Sequence, residues 1–432
     1  MAGAVALHEP PVAGHGYGPG LIGLALRLVL KAGVSLRAAP RVLATVSKSF
    51  GLWLAVPCWT TVRLWLLRLG HAMLSTPRMR ADDWAWLIDH SVQIGQEKCL
   101  AILGIRLADL PQPGQSLRHE DMHLIELKPA SSWTRTEVDE ALEQAAARSG
   151  VPRVIVDDHG ADINGGVALF QRRHPQVVEL YDTKHKAACL LKHRLEKDPR
   201  WQEFQTRVGQ TRCAVQQTEL AFLVPPGPKP KARFMNLSPQ LKWATGVLAI
   251  LHQPAAIRPF ATAERLKEKL GWIEAFQGDV VRWSQWQQVV DVGVTLINRQ
   301  GICAGVAELM AKQLSPLEGP EPSVRALAQE LVQFVRHQEA QAGPGERFPG
   351  STEVLESCFG KLKQLEKQQS RGGFTHLLLG FGAMLSNVTT GMVRNAMQAS
   401  RTADIRRWAA QALGVTLFAR RKLAFAGATK VG

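Results

Sequence analysis

Several acidic positions in this chain sit where a carboxylate is unusual. Asp89 lies in Leu87-Ile-Asp89-His-Ser, inside an apolar, alternating run. A carboxylate in such a strand is costly unless it is paired or binds a metal. Asp157 and Asp158 close a second apolar run, Val154-Ile-Val-Asp-Asp-His-Gly160. The C-terminal ends of strands in open α/β sheets are where sites are built. A strand-end Asp also serves simply to cap the next turn. Glu356 lies on a late helical segment, bordering the apolar stripe of Val354, Leu355, Cys358, Phe359, Leu362 and Leu365. Lys363 follows seven positions later, two turns and roughly 10.5 Å along the same face. Taken alone, that Glu and Lys read as a solvated rim. Taken together, two strand carboxylates and one helix carboxylate make an all-oxygen donor set for hard divalent cations. Two Mg²⁺ ions held this way, or Mn²⁺ as substitute, would stabilise the attacking and leaving oxygens of an in-line phosphoryl displacement.

The elements that must position these groups are legible from periodicity. From residue 84 the apolar period is 2. Trp84–Gln93, Cys99–Leu107 and Met122–Leu127 read as three strands, with a turn at Gly95–Lys98. Residues 134–149 read as an amphipathic helix with Thr134 as cap, Glu137 at the capping-box position and Gly150 as terminator. Arg153–Asp157 is a short buried strand, 162–173 a helix capped by Asp162, Val177–Tyr181 a strand, and 183 to about 197 a long helix. The order is three meandering strands, helix, strand, helix, strand, helix. It resembles the ribonuclease H fold: α/β, a mixed five-stranded sheet with helices. Residues 198–350 then read almost wholly as helices, a large all-α insertion. A further helix covers 352–369, followed by a basic helical tail to 432.

Ahead of the sheet, residues 1–20 read as a loose tail rich in Gly, Pro and His. Residues 21–80 read as helical. One helix starts near Ser35, with Pro40 an awkward interior break, and a second runs from Pro57 to Gly70. The pair looks like a helix-turn-helix, in which early side chains of the second helix meet base edges. Thr60, Thr61, Arg63 and Arg68 are the candidates there, with Arg37 and Arg41 on the preceding segment. A plain helical bundle with solvated arginines is the competing reading.

The chain has 432 residues and a formal net charge of +15. Residues 1–80 carry +8 and residues 357–432 carry +10, while the centre carries −3. The basic ends suggest a polyanionic partner, and Arg420-Arg421-Lys422 and Lys229/Lys231/Arg233 read as phosphate contacts or as solvated surface. The six cysteines form no CxxC pair, which excludes a disulfide framework and a zinc ribbon and implies a reducing compartment. No secretory signal is read. Residues 374–393 lack Asp, Glu, Lys and Arg but include His376, Ser386, Asn387, Thr389 and Thr390, which favours a buried helix over a membrane span. The expected setting is cytoplasmic and nucleoid-associated.

The segments Leu87–Lys98, Val154–Ile163, Leu180–Ala188 and Glu353–Lys363 resemble those of bacterial insertion-sequence transposases of the DDE type, over roughly residues 30–425. The resemblance implies a ribonuclease H-like core, N-terminal helices that bind element ends, and an insertion after the fifth strand. It implies Asp89, Asp158 and Glu356 as catalytic metal ligands. Asp158 is preferred to Asp157 because the family's Asp usually precedes Gly. Lys363 is similar to a lysine that contacts DNA near the cleavage point in one large cut-and-paste group. Thr352 departs from that group, which carries Arg there. Asp182-x-x-His185 is similar to a [Cys/Asp]-x-x-His motif after the fifth strand. As residues alone, the two also read as a helix N-cap and a first-turn His. In some relatives a Trp of the insertion stacks on a flipped base, which points to Trp272, Trp283 and Trp286. The i, i+3 spacing of Trp283 and Trp286 also suits a core.

The implied function is DNA transposition. Terminal inverted repeats would be bound, cut with Mg²⁺ and joined to target DNA by a dimer or higher synaptic assembly, away from any membrane. An element-derived DNA-binding protein and a metal-dependent DNA endonuclease of the same fold are the alternatives.

Overall fold

The computed structural model describes residues 9–92, 97–227, 234–257, 259–317, 319, 321–368, 374–415 and 417–428. Half of the turn expected at Gly95–Lys98, the basic residues Lys229, Lys231 and Arg233, and the first eight residues of the tail lie outside them. Three helices come first, α1 (Pro19–Leu30), α2 (Ala39–Ser49) and α3 (Trp59–Ser75). The strands and helices β1 (Trp84–Val92), β2 (Lys98–Arg106), β3 (His123–Ala130), α4 (Arg135–Ser149), β4 (Val154–Asp157), α5 (Ala161–Arg173) and β5 (Val178–Tyr181) follow in the expected order. Then come α6 (Thr183–Leu195), α7 (Pro199–Val215), α8 (Ser238–His252), α9 (Ala263–Leu270), α10 (Gln277–Gln300), β6 (Ile302–Cys303), α11 (Val306–Leu314), α12 (Pro322–Glu339) and β7 (Arg347–Phe348). The chain closes with α13 (Glu353–Glu366), α14 (Gly380–Met384), α15 (Thr390–Ala399), α16 (Thr402–Ala412) and α17 (Leu417–Ala428).

The chain divides into two compact units. One comprises residues 1–112, 116–180 and 352–432, and the other residues 113–115 and 181–351. The first holds a five-stranded sheet in the order β3-β2-β1-β4-β5. β1 pairs antiparallel with β2 and parallel with β4, and β2 pairs antiparallel with β3. This is the ribonuclease H-like arrangement. β1 is its middle strand, and Trp84 through Ile88 are buried along it.

The two faces of β1 meet different helices. Trp84, Trp86 and Ile88 pack with Ile102 and Ile155 against Val138, Ala141 and Leu142 of α4 and Ile163, Val167 and Phe170 of α5. No α13 residue belongs to that cluster, yet α13 packs on β1. Because side chains alternate along a strand, α13 must cover the face that carries Ala85, Leu87 and Asp89. Thr134 caps α4 through its Oγ1, which accepts from Glu137 N, and the capping box is complete. Gly150 then ends the helix at φ 92°, a left-handed conformation that favours glycine.

Several expectations about the N-terminal helices are corrected. Pro40 does not break a helix. It occupies the first turn of α2, where its missing N–H has no helical partner to lose. Ser35 Oγ accepts from Ala38 N in the preceding turn, outside the helix. Gly70 does not end α3, which continues to Ser75. A Cβ at Gly70 would fall well inside the van der Waals radius of the Leu379 carbonyl oxygen, so a glycine is required for close approach and not for termination. Nine residues separate α2 from α3, more than the three or four of a helix-turn-helix turn. α3 is moreover wrapped by α1, α14, α15 and α16, with Val62, Trp65, Leu66, Leu67 and Leu69 buried. The expected single helix over 374–393 is interrupted. A 3-10 turn at His376–Leu379 leads into the five-residue α14, and Val388, at φ 49°, separates it from α15, which Thr389 caps. Every residue from Leu377 to Ser386 is buried. Among the described residues no helix is long and apolar enough to cross a membrane.

The second unit is built from α6 to α12 with the two-residue antiparallel pair β6–β7. α6 packs on α10 and α12 within this unit, so the division falls before α6 and not after it. Its core is aromatic. Trp283 is fully buried, 4.8 Å edge-on to Trp201 and 5.1 Å from Phe204, and Trp286 is buried beside it. Trp272 Nε1 donates to Thr211 Oγ1 at 2.8 Å. These tryptophans hold the unit together, as their i, i+3 spacing allowed, and Trp283 and Trp286 present no face on which a base could stack.

Candidate catalytic face

The β1–β4 register runs Ala85↔Val154, Trp86↔Ile155, Leu87↔Val156. Continued by two residues, past the end of β4 at Asp157, it would set Asp158 beside Asp89. Asp89 shares its pleat face with Leu87, and Asp158 is the first residue after β4. Both carboxylates are half-buried. Asp89 Oδ1 accepts from His90 N at 2.6 Å, and Asp158 Oδ1 accepts from Gly160 N at 2.9 Å, which fixes the turn after β4. Glu356 is in the first turn of α13, half-buried at the edge of the stripe of Val354, Leu355, Cys358, Phe359 and Leu362, all of which are buried as their spacing predicted. The helix N-terminus beside it favours a carboxylate. Lys363 lies two turns along, exposed.

Asp157 points the other way. By alternation it falls on the Ile155 face, toward α5, and it has no exposed surface. Its Oδ1 accepts from His159 N at 2.6 Å. His159 has φ 55°, in the left-handed region that residues other than glycine use rarely, asparagine, aspartate and histidine most among them. Its Nε2 lies 3.5 Å from Glu179 Oε1, which also accepts from Asn164 Nδ2 of α5 at 2.9 Å. Asp157, His159 and Glu179 each offer a ligand atom within 4.8 Å of the others. Asp89, Asp158 and Glu356 do not form so tight a group among the described residues. This cluster was missed in the sequence. The parity of Asp157 with Ile155, and of Glu179 within its own short strand, was its one available signal.

Burial pushes the Asp157 carboxyl well above the usual carboxylate range, and the neighbouring Glu179 and Asp158 charges add to this, against the pull of the His159 N–H. Burial also raises Glu179, opposed by its hydrogen bond from Asn164. A carboxyl whose folded pKa is raised keeps its proton in the native state after the unfolded chain has lost it. Stability therefore falls as pH rises from the ordinary aspartate range through the raised value. In the presence of a chelator, Asp157→Asn should remove this loss, a gain of about 1–3 kcal/mol at neutral pH and none at low pH. Thermal melts of both proteins across pH check this. Parallel curves would contradict it.

Asp162 is not the cap of α5. Gly160 takes the N-cap position, and Asp162 in the first turn accepts from Lys98 Nζ at 2.9 Å and lies 3.7 Å from His90 Nδ1. Burial pushes His90 down to about 4 despite Asp162, so its imidazole is neutral at pH 7. In the second unit, Asp182 is buried and caps α6, its Oδ1 accepting from Lys184 N and His185 N, with His185 Nδ1 at 3.4 Å from Oδ2. The motif is thus at least a helix cap.

The basic candidates divide by environment. Arg37 stacks over Trp59 with its guanidinium 4.6 Å from the ring centre, and Arg41 is exposed on α2. Thr60 and Thr61 hydroxyls lie 3.0 and 3.1 Å from Cys58 Sγ at the start of α3. Arg63 is half-buried. Arg68 is engaged internally, at 2.6 Å from His15 Nε2 and 3.1 Å from Thr402 Oγ1. Arg420, Arg421 and Lys422 lie on α17 and are exposed.

No protein-family model and no curated protein matches the chain. Among solved structures, it is similar to the Drosophila P element transposase strand transfer complex, with 12% identity and a TM-score of 0.37 over 91% of this chain and 94% of that one. A likeness this distant assigns the chain to no family.

Proposed function

We propose that this protein is a DNA transposase that cuts and joins phosphodiesters at Asp89, Asp158 and Glu356. The observation that carries the reading is the β1–β4 register, which, extended by two residues past Leu87↔Val156, would bring Asp158 level with Asp89 on the face where α13, the helix bearing Glu356, packs. The donor set is all oxygen and suits Mg²⁺ or Mn²⁺. In a two-ion site the ions stand about 3.5–4 Å apart, so ligands of different ions need not lie as close together as ligands of one. When bound, such ions supply Lewis-acid stabilisation of the attacking and leaving oxygens. The protein's own residues then have separate tasks. The Asp89 backbone is held in the middle strand, paired with Ala101 of β2. The turn fixed by the Gly160 N–H holds Asp158, and the apolar stripe of α13 fixes Glu356. Lys363, exposed two turns on, would meet the DNA backbone beside the scissile bond. A dimer or larger assembly holding two DNA ends belongs to this reading.

The decisive assay uses purified protein, Mg²⁺ or Mn²⁺, and DNA carrying the sequences that flank its gene. Nicking at the ends and joining to a target plasmid are expected. Duplex binding without nicking would leave a DNA-binding protein, and nicking without end preference an endonuclease.

DNA contact is proposed for Arg37, Arg41, Thr60, Thr61 and Arg63, and phosphate contact for Arg420, Arg421 and Lys422. Replacing the last three with Ala should weaken binding to all duplexes alike. It should also reduce the slope of log affinity against log salt by up to about 3, at roughly 0.9 per phosphate contact. Fluorescence anisotropy at several salt concentrations measures this, and an unchanged slope would remove α17 from the interface.

A further inference from the structure

The sheet face opposite Asp89 carries a second set of metal-ligating groups, independent of the reading above. We propose that Asp157, His159 and Glu179 bind one transition-metal dication of the Zn²⁺ or Mn²⁺ class, which ties the end of β4 to β5. Three ligand atoms lie within 4.8 Å of one another, close enough to share a single ion.

The groups are held for this by other contacts. Asp157 Oδ1 is fixed by His159 N at 2.6 Å, and Glu179 Oε1 by Asn164 Nδ2 at 2.9 Å. Outer contacts of this kind orient metal ligands. The other oxygen of Asp157, Oδ2, is buried and accepts from no N–H or hydroxyl donor among the described residues, in a residue with no exposed surface whose carboxyl lies within hydrogen-bond reach of that of Glu179. Buried polar atoms are nearly always partnered, so an orphan at the centre of such a group points to a ligand. His159 is exposed and Glu179 half-buried, which gives an ion a way in and lets water complete its coordination.

The donor chemistry sets the class of ion. One imidazole nitrogen and two carboxylate oxygens suit first-row transition ions, whereas Mg²⁺ prefers oxygen and keeps its waters. The group also differs from the proposed catalytic set in every member. It lies on the α5 side of the sheet, where Asn164 of α5 reaches Glu179. Its task is therefore structural. It would anchor the turn that follows Asp157, which contains Asp158.

The test uses the full chain carrying Asp89→Asn and Glu356→Gln, which removes two of the three proposed catalytic ligands. Zn²⁺ and Co²⁺ are titrated separately, with melting temperature and the visible absorption of bound Co²⁺ as readouts. One equivalent of Zn²⁺ should bind and raise the melting temperature. Adding Glu179→Gln should weaken binding at least tenfold. Adding His159→Asn, at an exposed position that leaves the fold intact, should change the Co²⁺ spectrum. No binding by the parent, or binding and spectrum unchanged by both substitutions, would overturn the proposal. Failure of the transposase reading is seen separately, as wild-type protein that neither nicks nor joins DNA.

Discussion

Asp89→Ala should lower both nicking and joining by at least about 100-fold while leaving the melting temperature within a few degrees of wild type. The magnitude follows from the several kcal/mol that metal ions contribute to phosphoryl transfer, at 1.36 kcal/mol per tenfold in rate. Asp89 is half-buried at the end of the wholly buried run of β1, so its loss removes a ligand and leaves the packing of Trp84–Ile88 untouched. Asp158→Ala should match it. Asp157→Asn should cost much less than either, because Asp157 faces α5 and acts only through the turn that it helps to hold. That contrast between neighbours is the sharpest part of the prediction, since Asp157 ends β4 and Asp158 follows it directly. Equal losses at 157 and 158 would mean that the turn after β4 acts as a unit. Activity retained in Asp89→Ala would end the two-metal reading.

Gly70→Ala should destabilise the first unit by about 3 kcal/mol or more, at the upper end of what overpacking costs. In an exposed helix the same change would stabilise, because Ala is the better helix former by about 1 kcal/mol. Here α3 meets the Leu379 carbonyl backbone-to-backbone, and a Cβ has no flexible neighbour to displace. The contact joins α3 to the segment just after α13, so α13 should loosen with it. Urea denaturation gives the stability, and hydrogen exchange of α13 amides gives the coupling. A neutral or stabilising result would show that α3 and the 376–379 turn are not in this register.

The sheet was readable because its strands are short, apolar and bounded by strong stop signals. Thr134, Glu137 and Gly150 delimit α4 as their types demand. The stripe of α13 was readable for the same reason, at 3.6 periodicity. The errors arose where tertiary contact overrides local preference. Gly70 looks like a helix end in sequence and is a close-approach site in the fold. Pro40 looks like a break and is a helix start. The apolar run 374–393 looks like one helix, but Val388 and the cap at Thr389 divide it. At the proposed catalytic site, the residue types of Asp89, Asp158 and Glu356 are visible in the sequence, and so is the ambiguity between Asp157 and Asp158. What sequence could not supply was the β1–β4 register, because no local rule fixes which residues of two distant strands stand side by side. The Asp157–His159–Glu179 group was invisible for the same reason, as its members come from a strand end, a turn and a second strand.

The most direct test is anomalous diffraction from crystals of the protein grown with DNA ends and Mn²⁺. Two peaks roughly 3.5–4 Å apart, bridged by Asp158 or Asp89 and bounded by Glu356, are the expected result. Crystals with DNA bound but no peak between β1 and α13 would contradict the assignment of Asp89, Asp158 and Glu356 as the residues that cut.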